Sequence, residues 1–130
     1  MTRWQHTKLG ERGEDLAARF LVTRGLTVSE RRYRTRQGEI DLVCRDRDTV
    51  VFVEVKTRRT RKAGEPFEAI TRHKQQRLTR LALAYLKRHD LLEAPARFDV
   101  VSILYSEKTP TPTIDYFRDA FPASGSDCFY

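Results

Sequence analysis

The stretch Gly38–Lys56, GEIDLVCRDRDTVVFVEVK, decides how this chain is read. β-Branched and aromatic residues fill two runs. The pattern predicts strands over Glu39–Arg45 and Val50–Thr57, joined by a polar four-residue turn, Asp46–Thr49. In the second strand Val50, Phe52, Glu54 and Lys56 share one face, and Val51, Val53 and Val55 share the other. Both faces are apolar for most of their length, which predicts a central strand covered on both sides. In the first strand Glu39, Asp41 and Val43 share a face, opposite Ile40 and Leu42. If the hairpin closes with Arg45 opposite Val50, Asp41 falls opposite Glu54 and Glu39 opposite Lys56.

That register sets two carboxylates side by side, which is destabilising unless positive charge lies between them. Lys56 can supply part of it, and a divalent metal is the other candidate. Hard cations such as Mg²⁺ take oxygen ligands and often use one or two carboxylates, completed by waters and substrate phosphates. A lysine two residues beyond a metal-binding glutamate lies roughly 7 Å further along the same face. From there its ammonium reaches a metal-bound water or a scissile phosphate. The same residues also suit an ordinary hairpin with a surface salt bridge, and spacing alone leaves both readings open. The apolar run leading into Glu54, and a second acid in matching phase, point towards a site.

An Asp followed, after a short turn, by an apolar strand ending Glu-x-Lys resembles the PD-(D/E)XK motif of restriction-endonuclease-like nucleases. The wording is closer still to the YraN family of small bacterial proteins. The matching pieces are Gly13-Glu14 with Ala17 and Leu21, Gly38-Glu39-Ile40-Asp41-Leu42, Val51 through Arg58, Lys74 with Arg77-Leu78, Ala84-Tyr85-Leu86, Arg97-Phe98-Asp99-Val100 and Ala120-Phe121. They run in order over nearly the whole chain. The motif order is also similar to that of archaeal Holliday-junction resolvases, an analogy of fold and motif. The resemblance implies that a helix-borne Glu14, with Glu11 as the fallback, joins Asp41 and Glu54 around a metal. It further implies that Lys74 or Gln75 of a second helix contacts phosphate.

Composition bounds the answer independently. The chain has 130 residues, enough for one domain over 1–130 with a modest core. A net charge of +7 and a pI near 9.8 suit a polyanionic partner, although a solvated basic surface has the same balance. Cys44 and Cys128 lie far apart without metal-ligand spacing, and Cys44 reads as a small buried residue. A reducing cytoplasm is therefore the expected location. The N-terminus has no apolar core of a signal peptide, and no stretch is long enough to span a bilayer, so no membrane partner is expected.

In chain order, Met1–Leu9 reads as a loose polar lead-in. Gly10–Arg24 reads as a helix with an apolar stripe of Leu16, Ala17, Phe20, Leu21 and Val22, stopped at Gly25. Glu14 near its start equally suits a favourable charge at a helix N-terminus. Leu26–Tyr33 reads as an edge strand whose Arg31, Arg32, Arg34 and Arg36 form either a phosphate-contacting rim or edge charges that block aggregation. Arg58, Arg59, Arg61 and Lys62 make a basic loop beyond Lys56, placed to close over a nucleic-acid backbone. Glu68–Lys87 holds a second helix with Leu78, Leu81, Ala82, Tyr85 and Leu86 on its buried face. Arg97–Tyr105 is a strong strand in which Asp99 is expected to pair with Arg97 or a loop backbone group. Ile114–Phe121 adds a minor edge strand that tucks in Phe117 and Phe121, and Ala123–Tyr130 reads as a tail. His89 reads as the end of the second helix.

The expected architecture is thus α/β: a restriction-endonuclease-like core with a mixed β-sheet flanked by helices, in the order αβββαβ plus an edge strand. The class follows from the pattern, and the specific topology from the resemblance. The expected activity is phosphodiester hydrolysis in DNA, branched or single-stranded in character, with DNA placed before RNA. Mg²⁺ or Mn²⁺ would be held by Asp41, Glu54, the Val55 carbonyl and Glu14. Lys56 would serve the water, and Glu39 would hold Lys56 in place. The alternatives are a catalytically silent nucleic-acid-binding module and a nuclease acting on RNA. The resolvase comparison adds an expected homodimer.

Overall fold

The computed structural model describes residues 3–59 and 70–124, with side chains described from Arg12 onward. Its elements are α1 (Arg3–Thr23), β1 (Thr27–Thr35), β2 (Gly38–Asp46), β3 (Thr49–Arg58), α2 (Arg72–Arg88), β4 (Ala96–Leu104) and β5 (Thr113–Phe121). The five strands form one mixed sheet in the order β1-β2-β3-β4-β5. Neighbours are antiparallel except β3 and β4, which run parallel because α2 carries the chain across between them. The α/β class and the mixed sheet flanked by helices are as expected from the sequence. The element expected as a minor edge is a full nine-residue strand, β5.

β3 is central and covered on both sides. Val50 and Phe52 pack with Leu78, Leu81, Ala82, Tyr85 and Leu86 of α2, together with Phe98, Val100 and Phe121. Val51 and Val53 pack with Ala17, Ala18 and Leu21 of α1, together with Val101 and Ile103. Each apolar stripe of β3 therefore meets the stripe of one helix. All five residues expected on the buried face of α2 are buried. On α1 the stripe is narrower than the sequence implied: Val22 is 56% exposed, so it faces outward.

Local chemistry sets most boundaries. α1 ends in a Schellman pair: Leu26 N–H donates to Leu21 O and Gly25 N–H to Val22 O, with Gly25 at φ +92. Its start lies at Arg3, well before the expected Gly10, so the segment read as a lead-in is helical from there. Gly10 and Gly13 each weaken a helix by only about 1 kcal/mol and do not stop it. α2 begins four residues after the expected Glu68, because Thr71 is its N-cap and its hydroxyl accepts the Lys74 N–H at 3.1 Å. His89 is the C-cap, as read. The β2–β3 connection is tighter than the expected four residues. Asp46 already pairs with Thr49, leaving Arg47 and Asp48 as the turn, with Arg47 at φ +56.

Candidate active site

The β2–β3 register matches the expectation along its length: Arg45 pairs with Val50, Cys44 with Val51, Val43 with Phe52 and Leu42 with Val53. One step further would bring Asp41 opposite Glu54, but the ladder ends there. The Asp41 carboxylate leaves its own strand's pattern, and Oδ2 accepts the Val55 N–H at 2.8 Å. The alternation of β2 slips at the same residue. Leu42 and Cys44 face α1, whereas Val43 and Ile40 both face α2. The expected grouping of Ile40 with Leu42 is therefore incorrect. With the ladder interrupted at Asp41, nothing forces the two-residue period through to Ile40. Gly38, at φ +147 and with Leu81 Cδ1 only 3.3 Å from where a Cβ would sit, lets the strand start tight against α2.

Asp41 lies beside Glu54 at the end of the hairpin. Burial, the Glu54 charge and a hydrogen bond to the Glu54 carboxyl raise the Asp41 carboxyl to about 8, against the lowering effect of the Val55 N–H. A carboxyl raised in this way keeps its proton more readily than a free one, unless a cation takes its place. Glu54 itself is buried and is ion-paired to Lys74 Nζ from the first turn of α2. Lys56 follows on the α2-facing row of β3. It is half-buried and has no ion-pair partner among the described residues. Asp41, Glu54 and Lys56 thus sit at one end of the hairpin.

Glu14 lies close enough to add to the upward shift of Asp41, but its carboxylate is held by Arg32 Nε at 2.6 Å. Arg32 makes that contact from a left-handed backbone, φ +53, inside β1. Among the described residues, no three acidic, His or Cys side chains are placed to hold one metal ion together. The pair Asp41–Glu54 is what the fold brings into contact, with Glu14 one ion pair removed. Two carboxylates still fit a divalent cation that completes its shell with waters and phosphate. The Asp41 carboxyl, whose ionisation is opposed by its surroundings, is a group that a cation would relieve.

Gly13 explains how α1 comes so near. A Cβ there would lie 2.2 Å from Thr57 Oγ1, so only glycine lets the helix rest on β3 one residue beyond Lys56. Glu39, expected beside Lys56, instead accepts from Arg34 Nε at 3.2 Å. Three of the four rim arginines are engaged by carboxylates: Arg31 by Asp15, Arg32 by Glu14 and Arg34 by Glu39. Arg36 is exposed. Arg58 is half-buried at the end of β3 and Arg59 is exposed, while Arg61 and Lys62 lie outside the described residues. The Gln75 amide donates to Ile70 O at 2.9 Å, holding the entry to α2.

Asp99 is not part of this site. It is fully buried and bound by Arg97, by Tyr116 Oη at 2.5 Å and by the Asp119 N–H at 2.8 Å. The expected Arg97 partner is there, while the backbone partner belongs to strand β5 and not to a loop. Cys44 is fully buried, and burial followed by the Asp99 charge pushes its thiol up to about 12, so it stays protonated. A groove of about 710 Å³ between α1 and β1 is lined by the rim residue Arg31 but by none of Glu14, Asp41, Glu54, Lys56 and Lys74. Among the described residues no helix is long and apolar enough to cross a membrane. Sequence reasoning missed the Lys74–Glu54 and Arg32–Glu14 pairs. The only signal for either was a basic residue near each acid once the helices are packed.

Residues 13–103, which hold Glu14, Asp41, Glu54, Lys56 and Lys74, match the uncharacterised protein family UPF0102. The chain is 49% identical over 115 residues to the UPF0102 protein of Nocardia farcinica, covering 87% of this chain and 88% of that one. It is 44% identical over 119 residues to the UPF0102 protein of Geotalea uraniireducens, covering 92% and 93%. A third relative, from Rhodopirellula baltica, is 44% identical over 129 residues, covering 97% of this chain and 77% of its own. With these matches over most of its length, the chain belongs to the uncharacterised protein family UPF0102.

Proposed function

We propose that this protein is a metal-dependent nuclease of the PD-(D/E)XK type, hydrolysing phosphodiester bonds in DNA. The observation that carries the proposal is the hold of the Val55 N–H on the Asp41 carboxyl, which sets it beside Glu54, with Lys56 next on the same row of β3. The element order, a helix followed by three antiparallel strands, a crossing helix and a parallel strand, is also the order of a restriction-endonuclease-like core.

Asp41 and Glu54 are the residues to hold Mg²⁺ or Mn²⁺, with the Val55 carbonyl as a further ligand. Such an ion supplies charge that polarises a phosphoryl oxygen and acidifies a bound water. The chain's own contributions follow from its geometry. The Val55 N–H fixes Asp41 Oδ2, so the carboxyl is aimed before any ligand arrives. The proton that burial favours on Asp41 has to leave when the site takes up a cation. The Lys56 ammonium orients the attacking water and stabilises negative charge on the phosphate in the transition state. Net charge and the basic segment beyond Arg58 draw in the polyanion.

One observation favours a second reading, a nucleic-acid-binding module without turnover. Lys74 and Arg32 already compensate Glu54 and Glu14, as they would in a site retired from catalysis. The two readings separate in one experiment. Purified protein with Mg²⁺ or Mn²⁺ is offered labelled duplex, single-stranded, flap and four-way-junction DNA, and the matching RNAs, beside Glu54→Ala. Cleavage by wild type should be lost in Asp41→Ala, Glu54→Ala and Lys56→Ala, with non-additive losses because the three act as a unit. Binding without cleavage selects the module. Cleavage that survives Asp41→Ala/Glu54→Ala rejects the site. Sedimentation of the same preparation reads the homodimer implied by the resolvase comparison.

A further inference from the structure

The pair Lys74–Glu54 is unequal. Glu54 is on the central strand with its side chain 8% exposed, and its backbone is paired with Val100 of β4. Lys74 is on the exposed first turn of α2, 35% exposed, at the end of a flexible four-carbon stem. Glu54 cannot leave the contact, whereas Lys74 leaves it by rotating its own stem into solvent. Its anchorage is independent of the ion pair. The Lys74 backbone N–H is held by the Thr71 cap, and α2 is held by Leu78, Leu81 and Leu86, so the helix keeps its place when the side chain moves.

The ammonium sits on Glu54 Oε2, one of the few oxygens that a cation between Asp41 and Glu54 can use. A buried carboxylate needs a counter-charge, and two cations on one carboxylate repel each other strongly in a partly desolvated site. Resting on the metal-site reading given above, we propose that Lys74 is the resident counter-ion of Glu54, that a divalent cation must displace it to bind, and that the displaced ammonium becomes a contact for the substrate phosphate. Lys74 then stabilises the empty site and also sets how tightly the metal is held. Metal and substrate bind cooperatively, because each gives Lys74 or Glu54 the partner that the other step removes.

Arg77 is the control. It lies on the same helix, exposed, near Gly38, and has no ion pair with Glu54 among the described residues. Mn²⁺ binding is measured by the electron paramagnetic resonance signal of free Mn²⁺ in wild type, Lys74→Gln, Lys74→Met, Arg77→Gln and Glu54→Gln. Removing a directly competing charge should tighten Mn²⁺ binding about tenfold in both Lys74 variants, and Arg77→Gln should stay within about twofold of wild type. Glu54→Gln should lose the ion. Without metal, Lys74→Gln should melt below wild type, and saturating Mn²⁺ should raise its melting temperature more than that of wild type. Binding of a short DNA duplex in Mn²⁺ should be weaker for Lys74→Gln despite the tighter metal. Equal or weaker Mn²⁺ binding by both Lys74 variants, with binding lost in Glu54→Gln, overturns the proposal and leaves the metal site standing. A uniform gain in Lys74→Gln and Arg77→Gln overturns it in favour of a general charge effect. Absence of Mn²⁺ binding in every protein rejects the metal site and the proposal together.

Discussion

The side chain of Asp41 binds the backbone of Val55: Oδ2 accepts its N–H at 2.8 Å, in place of the next rung of the β2–β3 ladder. A carboxyl that replaces a backbone acceptor is fixed in direction, and it is also brought into contact with Glu54. The strand gives up its regular pairing at the residue where the chemistry is expected.

Asp41 makes the metal-free protein pH-sensitive. Its folded carboxyl titrates near 8 and its unfolded one near 3.8, so the native state holds the extra proton between those values. Stability from this group is complete below about pH 4, falls as pH rises and is lost above about pH 8. Melting in EDTA should show that decline, and Asp41→Asn, which keeps an acceptor for Val55, should flatten it. Metal should restore wild type at the alkaline end, by about 2.7 kcal/mol when free ion is a hundredfold above its dissociation constant. In Asp41→Asn that gain should shrink. A structural salt bridge at Asp41 would produce the reverse pattern, with Asp41→Asn destabilised and metal without effect.

Gly13→Ala should destabilise the fold although alanine is the better helix former. The helix gains about 1 kcal/mol, but the new methyl collides with Thr57 Oγ1. Overpacking of this kind costs about 1–3 kcal/mol. Thr57→Ala removes the nearest atom and should recover part of the loss, giving a favourable coupling in a double-mutant cycle read by urea denaturation. Independent effects of the two substitutions would mean that α1 is not seated on Thr57.

Asp99 should behave as a structural acid. Asp99→Ala leaves the Arg97 guanidinium with Asp46 alone and removes the acceptor of Tyr116 Oη and the Asp119 N–H. A loss of about 3–5 kcal/mol is expected. Tyr116→Phe removes one charge-assisted bond, worth about 1.5–3 kcal/mol. Any variant that remains folded should keep the metal affinity of wild type, measured by Mn²⁺ titration. A selective loss of metal binding would place Asp99 in the site after all.

The basic segment after β3 should control salt dependence. Replacing Arg59, Arg61 and Lys62 by Ser should flatten the dependence of log affinity on log salt by about 0.9 for each duplex phosphate that is no longer neutralised, and should weaken all sequences alike. An unchanged slope, measured by fluorescence anisotropy between low and moderate salt, would make these charges a solvated surface.

Much of this molecule is readable without coordinates, because the rules that produce it are local. Alternation over Val50–Lys56 fixes which side chains share a face, and pairing Arg45 with Val50 sets the hairpin register. Helical spacing of Leu78, Leu81, Ala82, Tyr85 and Leu86 picks out the buried face of α2. The candidate acids Asp41 and Glu54 come from those periods together with the motif resemblance. Tertiary structure decided the rest. Arg32 meets Glu14 across eighteen positions of sequence, and Lys74 reaches Glu54 only because α2 lies across β3. Gly13 reads as a weak point in a helix until Thr57 is seen beneath it. The slip at Asp41 has no period to announce it, since it begins where the side chain takes the Val55 N–H from the ladder. Periodicity carries information along one element, whereas the partner of a charge depends on which elements packing brings together.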